Sequence, residues 1–272
     1  MSKTIQPIGI FDSGIGGLTV ANAILSAMPN ERIIYFGDTA HLPYGDKSAD
    51  LIKSYSAKVT SFLLKHNCKA VVIACNTASS VAYEVVKDIC AEKAIAFNVI
   101  DPVVDFILQN NYQRVGIIGT LGTIGSNVFY DKIKAAKPNV KAYSLATPLL
   151  APMIESGFVH GQISELIVQK YLENDILEDI EAIVLACTHY PLIKQQIEQL
   201  YQSLNRNVEV LATNEIAGQY VKTVLENENL LNTSINNPPH QFFVSDYTAS
   251  FEQTTRLFFG SEVHLEPINI WK

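Results

Sequence analysis

Two cysteines of this chain occupy nearly matching sequence contexts. The run AVVIACNT (70–77) and the run EAIVLACTH (181–189) each carry an apolar segment into Ala-Cys and then into polar residues. Cys75 and Cys187 are therefore each predicted to follow a buried strand and to precede a helix. A thiol at the N-terminus of a helix faces the positive end of the helix dipole, which predicts a lowered pKa for both cysteines. A single cysteine at a strand end commonly serves packing alone, but the repeated context indicates chemistry.

Racemisation at a carbon acid by a two-base mechanism needs two equivalent acid/base groups, and a pair of thiols can supply them. One group removes a proton from one face of the carbon and a second group returns a proton to the other face, and the roles reverse for the opposite reaction. Nucleophilic acyl transfer uses one cysteine with one histidine and leaves the second cysteine without a role. A redox pair needs both sulfur atoms within bonding distance, which nothing in the sequence indicates for Cys75 and Cys187. Two related halves that each present a thiol to one cleft would supply the geometry for racemisation.

Two further polar groups stand where they could move protons. The run DSGIGG begins at Asp12, directly after a predicted strand and before a helix, where glycines let backbone N–H groups approach an anion. The same run can also be a tight turn without a ligand. It does not match a dinucleotide-binding loop, because Thr19 stands where the third glycine belongs and Asp12 would repel a pyrophosphate. Asp12 and His189 are the predicted proton acceptors or relays, although a histidine at a helix start can also be a simple cap.

Short apolar runs that alternate with helix-periodic segments predict an α/β fold. Runs that are apolar on both faces are typical of parallel strands covered by helices. Two sheets fit the usual size of a domain better than one sheet of nine strands, and the repeated cysteine context indicates two pseudo-symmetric halves. One of the helix-periodic segments is 124–136. The predicted strands are 8–12, 32–36, 70–74, 94–99, 114–119, 140–145, 181–186, 208–211 and 241–244.

Composition and charge exclude several classes of protein. The 272 residues are 48% hydrophobic and 17% charged, which suffices for a large core and excludes disorder and low-complexity scaffolds. The net charge is −7 with scattered acidic residues, which argues against a nucleic-acid partner. No apolar run reaches the roughly 18 residues of a membrane helix, and Asp12 comes before any signal-peptide core could form. We therefore expect a cytoplasmic protein. The four cysteines lack the spacing of a zinc site, so we expect no structural metal.

Five sequence runs resemble those of the glutamate racemases of bacterial cell-wall synthesis, within the aspartate/glutamate racemase superfamily. They occur in the family's order and cover most of the chain. The first and the last are highly specific together, because the wider superfamily shares the paired cysteines but usually lacks the DSG-x-GGLTV start. The runs are GIFDSGIGGLTV (9–20), YFGDTAHLPYG (35–45), ACNTAS (74–79), IIGTLGT (117–123) and LACTHYPLI (185–193).

The resemblance implies an amino-acid racemase that needs neither cofactor nor metal. Its fold would consist of two pseudo-symmetric α/β domains with mainly parallel sheets and an active site in the cleft between them. The first domain would comprise residues 1–97 plus 209–272, and the second would comprise residues 98–208. The implied substrate is glutamate, and the implied assembly is a homodimer without nucleic acid or membrane.

The resemblance also assigns roles to matching positions. Cys75 and Cys187 would be the acid/base residues, Asp12 and His189 would assist them, and Glu155 would be an auxiliary carboxylate near the site. The remaining positions would hold the carboxylates and the amino group of the substrate. With Asp12 and His189, these substrate-binding residues are Ser13, Pro43, Tyr44, Gly45, Asn76, Thr77 and Thr188.

Two positions depart from the family's pattern. Thr147 stands where the family commonly has a cysteine before Pro-Leu, and Thr213-Asn214 stands where a string such as Ile-Asp-Ser is usual. Neither position is an acid/base residue. The alternatives to glutamate racemisation are racemisation of aspartate, which the depth of the pocket would decide, and a small-molecule sensor on a racemase scaffold. A sensor would usually have lost one of the two cysteines, and both are present here.

Overall fold

The chain folds into alternating strands and helices, and the computed structural model describes residues 2–234 and 238–272. Short 3₁₀ turns separate some of these elements, among them Thr39–His41, Tyr44–Asp46 and Tyr190–Ile193. The strands are β1 (Ile8–Asp12), β2 (Ile33–Gly37), β3 (Ala70–Ile73), β4 (Ile95–Asn98), β5 (Arg114–Gly119), β6 (Lys141–Ala146), β7 (Ala182–Ala186), β8 (Glu209–Ala212), β9 (Gln241–Val244) and β10 (Glu266–Pro267). The helices are α1 (Leu18–Ala27), α2 (Ala49–Lys65), α3 (Asn76–Cys90), α4 (Asp101–Gln109), α5 (Leu121–Gly125), α6 (Val128–Ala136), α7 (Leu150–Glu155), α8 (Gln162–Leu172), α9 (Lys194–Ser203), α10 (Thr213–Asn227) and α11 (Ala249–Phe259).

The strands pair in parallel and form two sheets. Among the described residues the first sheet has the order β10-β9-β2-β1-β3-β4 and the second has the order β6-β5-β7-β8. β1, β2, β3 and β7 are buried along their whole lengths, as expected for parallel strands covered by helices on both faces. The predicted α/β fold with two mainly parallel sheets is therefore confirmed.

The two sheets repeat one topology. The order β2-β1-β3-β4 in the first sheet becomes the order β6-β5-β7-β8 in the second when the strands of each half are counted from its own start. In each half the winding reverses beside the first strand, so a crevice opens at the carboxyl ends of the first and third strands. Cys75 follows β3 and Cys187 follows β7. The two cysteines therefore occupy equivalent positions in the two halves.

Helices α1 and α10 pack against each other and join the two halves. Gly218 of α10 lies so close to α1 that a Cβ atom there would come within 3.0 Å of the Ala23 carbonyl oxygen. One apolar cluster runs from Ile10 of β1 through Leu18 of α1 to Leu185 of β7. The two sheets therefore share a continuous core, and the strand ends that carry the cysteines are held by it.

The domain boundary and one helix differ from what the sequence predicts. β8 pairs with β7 in the second sheet, so the domain boundary predicted at residue 209 falls one strand too early. A short apolar run fits either sheet, and only the pairing decides between them. The predicted helix 124–136 is divided into α5 and α6, because Asn127 adopts a left-handed conformation with a φ of 56°. None of the helices in the described part of the chain combines the length and the hydropathy that crossing a membrane requires.

Candidate active site

One cavity of about 140 Å³ lies where the carboxyl ends of strands from both halves meet. The segments that follow β1, β3, β5 and β7 all contribute to its wall, together with the 42–45 loop and helix α7. The cavity is lined by Ser13, Gly14, Leu42, Pro43, Tyr44, Gly45, Cys75, Asn76, Thr77, Thr120, Ala151, Pro152, Glu155, Ala186, Cys187, Thr188 and His189.

Every site residue that the sequence predicts lines this cavity except Asp12, which is buried behind the wall with 1% of its surface exposed. The sequence analysis did not single out Leu42, Thr120, Ala151 or Pro152. Thr120 follows β5, which is the counterpart of β1, so it takes the place that Ser13 and its neighbours take in the first half. That equivalence would have been the signal for Thr120. Ala151 and Pro152 of α7 carry no such signal in their side chains.

The thiol of Cys75 is enclosed by the first half of the molecule. Cys75 is the N-cap of α3, and its Sγ accepts a hydrogen bond of 3.4 Å from the Ala78 N–H. The same Sγ lies 3.7 Å from the Ser13 hydroxyl. Burial raises the pKa of Cys75 to about 12 and the charge of Asp12 adds to this rise, although the hydrogen bonds that Cys75 makes with Ala78 and Ser13 oppose it. The sequence-based expectation of a lowered pKa is therefore wrong for Cys75, because desolvation outweighs the helix terminus.

Asp12 is held beneath Cys75 by the glycine-rich turn. Its Oδ2 accepts the N–H groups of Gly14 and Gly17, each at 3.1 Å, while its buried Oδ1 has no hydrogen-bond partner among the described residues. A Cβ atom on Gly17 would come within 2.5 Å of the Asp12 Cβ, so the turn closes around the carboxyl only with glycine there. Burial raises the pKa of Asp12, although His189 and the backbone N–H groups oppose that rise. Asp12 is therefore a carboxyl group that can take and release a proton inside the protein.

The thiol of Cys187 faces a histidine whose other ring nitrogen contacts a carboxylate. The Cys187 Sγ lies 3.6 Å from His189 Nδ1, and His189 Nε2 lies 2.8 Å from Glu155 Oε1. The Thr188 hydroxyl lies 3.3 Å from the same Nδ1. Burial lowers the pKa of His189, but the hydrogen bonds to Cys187 and Glu155 outweigh it and raise the pKa to about 10. The charged imidazolium form of His189 is therefore favoured, and it lies next to the Cys187 thiol.

Direct hydrogen bonds connect the two walls of the cleft. The hydroxyl of Thr77, at the start of α3, lies 2.9 Å from the Thr120 hydroxyl and 3.1 Å from the Thr123 hydroxyl in the second half. On the other side of the cleft, the Thr19 hydroxyl donates to the Thr188 carbonyl oxygen at 2.9 Å. The distance between the two cysteine-bearing segments is therefore fixed by contacts close to the cavity.

Asn76 brings unsatisfied hydrogen-bonding groups to the cavity. It is 2% exposed, and neither its Nδ2 nor its Oδ1 has a partner among the described residues. Buried amide groups are almost always paired in folded proteins, so an unpaired one on a cavity wall points to a bound ligand. Tyr44 differs, since its hydroxyl already donates to Asp38 Oδ2 at 2.7 Å and only its ring and backbone remain for a ligand.

The two departures from the family's pattern lie outside the cavity wall. Thr147 follows β6, is fully buried, and lies with its hydroxyl 2.7 Å from the Tyr190 hydroxyl. Asn214, near the start of α10, donates from Nδ2 to the Thr19 carbonyl oxygen at 3.4 Å. Neither residue contributes to the lining of the cavity. Both therefore act on the packing behind the site.

The chain resembles known proteins along most of its length. A family model described as Asp/Glu/Hydantoin racemase matches residues 18–221. A glutamate racemase of Chlorobium phaeobacteroides is 38% identical over 95% of this chain and 94% of its own length.

Solved structures have the same architecture. The crystal structure of a glutamate racemase from Francisella tularensis in complex with D-glutamate is 39% identical, with a TM-score of 0.89 over 98% of this chain and 99% of that one. Glutamate racemase isoform RacE1 from Bacillus anthracis is 30% identical, also with a TM-score of 0.89, over 97% of both chains. This chain therefore belongs to the Asp/Glu/Hydantoin racemase family.

Proposed function

We propose that this chain is a glutamate racemase, which interconverts L- and D-glutamate without a cofactor by proton transfer at two cysteines. The observation that carries the proposal is the position of Cys75 and Cys187 at equivalent strand ends of the two halves, on the wall of one cavity. Glutamate is favoured over aspartate because relatives that match nearly the whole chain are glutamate racemases, one of them solved with D-glutamate.

The two cysteines would act as an acid/base pair on opposite faces of the α-carbon. Burial favours the protonated thiol at Cys75, and the Cys187 Sγ lies 3.6 Å from His189 Nδ1 in the other half of the cleft. In one direction of the reaction, Cys187 would remove the α-proton of one enantiomer while Cys75 delivers a proton to the other face. The reverse reaction starts from the opposite protonation state. Asp12 near Cys75 and His189 near Cys187 would move the protons that connect the two states.

The α-carbon of glutamate is only weakly acidic. Hydrogen-bond donors on the cavity wall must therefore stabilise the negative charge that develops when the α-proton leaves. The unpaired amide of Asn76 is the first candidate for a hydrogen bond to the α-carboxylate. The hydroxyls of Ser13, Thr77 and Thr188 line the same cavity. Because most of the wall is buried, these donors act in a site with little water, where hydrogen bonds to a developing charge are strongest.

The 42–45 loop would close the other side of the substrate. Pro43, Tyr44 and Gly45 line the cavity, and the Tyr44 hydroxyl is held by Asp38. The loop therefore contributes shape and backbone groups rather than a free phenol. Gly45 also approaches the second half closely, since a Cβ atom there would lie 3.2 Å from the Thr120 Cβ.

The cellular role follows from the proposed reaction. We infer that the enzyme supplies D-glutamate for peptidoglycan synthesis, that it works in the cytoplasm, and that it forms a homodimer. The relatives named above support the first of these inferences through their activity as glutamate racemases. A sedimentation experiment on the purified protein would test the dimer directly.

The function is tested by incubating the purified protein with L-glutamate in D2O, without an added cofactor. We expect the optical rotation to fall to zero while deuterium enters the α-position of the product. If aspartate exchanges its α-proton and inverts while glutamate does not, the chain is an aspartate racemase. If no amino acid reacts, the chain is a binding protein and the proposal is wrong.

Replacing Asp12 by asparagine should lower kcat by about 10²-fold and change KM much less. The asparagine oxygen can still accept the N–H groups of Gly14 and Gly17, so the turn keeps its shape, but the amide cannot carry a proton. Steady-state kinetics in both directions would measure the effect, with Asp50→Asn on the surface as the matched control. A higher KM at unchanged kcat would instead place Asp12 in substrate binding.

Replacing Gly16 by alanine should also lower kcat, by about 10²-fold, because it displaces His189. A Cβ atom at position 16 would come within 2.4 Å of His189 Cε1 and 2.6 Å of the Thr188 Oγ1, so the imidazole must leave its contact with Cys187. Gly125→Ala is the matched control, since nothing lies within 4 Å of its Cβ position. Equal rates for the two variants would show that His189 does not need its present position.

A further inference from the structure

The single tryptophan of the chain packs beside the loop that closes the cavity. The Trp271 ring makes edge contacts with His41 and Tyr55, at centroid distances of 4.4 Å and 5.3 Å and interplanar angles of 84° and 76°. The Lys58 ammonium lies 5.4 Å from the centre of the ring and donates to the Trp271 carbonyl oxygen at 3.2 Å. Edge-to-face aromatic pairs and cation–π contacts are attractive. Trp271 is therefore held against α2 and the turn before the loop.

A chain of contacts leads from Trp271 to the cavity wall. The His41 ring is stacked on Tyr55 at 4.1 Å, and its Nδ1 lies 2.9 Å from the carboxylate of Asp38. Asp38 is fully buried and also accepts the hydroxyl of Tyr44 at 2.7 Å. Tyr44 lines the cavity. Three contacts thus connect a tryptophan outside the site to a residue on its wall.

The same segment also packs against the apolar cluster to which the loop contributes Tyr44. Ile268 and Ile270 pack against the apolar cluster that contains Tyr44 and Cys75. The Ile268 N–H donates to the Val244 carbonyl oxygen at 2.9 Å, which ties the segment to the first sheet. Its position is therefore fixed by the fold, next to the cluster to which Tyr44 of the loop belongs.

We propose that Trp271 is a positioning residue, which holds the 42–45 loop in the conformation that binds the substrate. The inference rests on the proposed function, and it adds a residue that contacts no substrate, since Trp271 is absent from the cavity wall. The thiols of Cys75 and Cys187 follow the interior strands β3 and β7, and these strands rather than the loop place them. Loss of the Trp271 ring therefore acts on the binding of glutamate and leaves proton transfer intact.

Trp271→Ala is expected to raise the KM for glutamate about tenfold and to leave kcat within about twofold, since two aromatic contacts are lost. Trp271→Phe keeps an aromatic edge at this position and should restore most of the affinity. The matched control is Tyr130→Ala, which removes a half-exposed aromatic ring of α6 that does not line the cavity. Initial rates followed by circular dichroism in both directions give kcat and KM for each variant.

The fluorescence of Trp271 gives a second readout in the unaltered protein. Because the chain has one tryptophan, emission reports on this position alone, and a titration with D-glutamate should change it with a midpoint near the KM. An unchanged KM in Trp271→Ala overturns the inference. So does a fall in kcat and melting temperature that Trp271→Phe does not correct, because that is a loss of folding. If the unaltered protein is inactive on glutamate, the proposed function is wrong. That result differs from a failure of the inference on Trp271, in which the unaltered protein is active.

Discussion

Serine in place of Cys75 or of Cys187 should lower the rate of racemisation by about 10²–10⁴-fold in each case. A serine hydroxyl has nearly the size of the thiol but is a far weaker acid. It therefore does not form the anion that would take the place of the thiolate as the base for the α-proton. Each variant keeps the second thiol and the cavity around it. Racemisation needs a proton from one face and a proton to the other, so one remaining thiol does not suffice.

The two serine variants should differ in which enantiomer they still activate. The remaining thiolate can remove the α-proton of the enantiomer whose α-proton points toward it. It can then return a deuteron to the same face. Cys75→Ser should therefore exchange the α-proton of one enantiomer in D2O without inversion, and Cys187→Ser should exchange only the other. Proton NMR of L- and D-glutamate, each incubated separately with each variant, measures both exchange and configuration.

The chain contains its own controls for these variants. Cys68 and Cys90 are as buried as the two proposed acid/base cysteines, but neither lines the cavity. Cys68→Ser and Cys90→Ser should therefore keep racemisation near that of the unaltered protein, whatever they do to its stability. Near-normal turnover in Cys75→Ser or Cys187→Ser would remove the two-cysteine mechanism. Exchange of both enantiomers by one variant would show that the thiols do not act on opposite faces.

The contrast between the two cysteines shows where sequence-based reasoning succeeds and where it does not. The matching runs around Cys75 and Cys187 predicted equivalent strand ends, because burial on both faces of a parallel strand is visible in a local apolar run. The pKa of Cys75 was not predictable in the same way. It depends on the charge of Asp12, 63 positions away in the sequence, and on the burial of the thiol, and both are consequences of the folded packing.

Other parts of the site were hidden for a related reason. The residues of the 42–45 loop were predicted only through the family resemblance, since Pro, Tyr and Gly in a turn carry no chemical signal of their own. Trp271 bears on that loop through His41 and Asp38, although it is more than 200 positions away in the sequence. Helix α7 supplies Ala151 and Pro152 to the wall through shape alone. Spacing along a chain predicts strand ends well, and it does not predict which loops fold over them.

A buried ion pair stabilises the first sheet at the amino ends of its strands, opposite the end that carries the cavity. Lys69, just before β3, and Glu31, before β2, form a salt bridge of 2.7 Å in which both side chains are almost completely buried. The Lys69 ammonium also donates to the carbonyl oxygens of Thr4 and Leu230, at 2.6 Å and 2.8 Å. Glu31 in turn accepts the N–H of Asn232 at 2.9 Å. The pair therefore joins the start of the chain, two strands and the segment after α10.

Replacing Glu31 by glutamine should lower the free energy of unfolding by about 3–5 kcal/mol, because it leaves the Lys69 ammonium buried without its countercharge. The glutamine oxygen can still accept the Asn232 N–H, so the loss measures the charge rather than the backbone contact. Urea denaturation followed by circular dichroism gives the change. Glu226→Gln is the control, since its contact with Lys222 is 3.9 Å long and half exposed and should contribute at most about 0.5 kcal/mol. A loss below about 1 kcal/mol in Glu31→Gln would mean that Lys69 gives up its proton in the folded protein, and that the sheet is held by hydrogen bonds from a neutral amine.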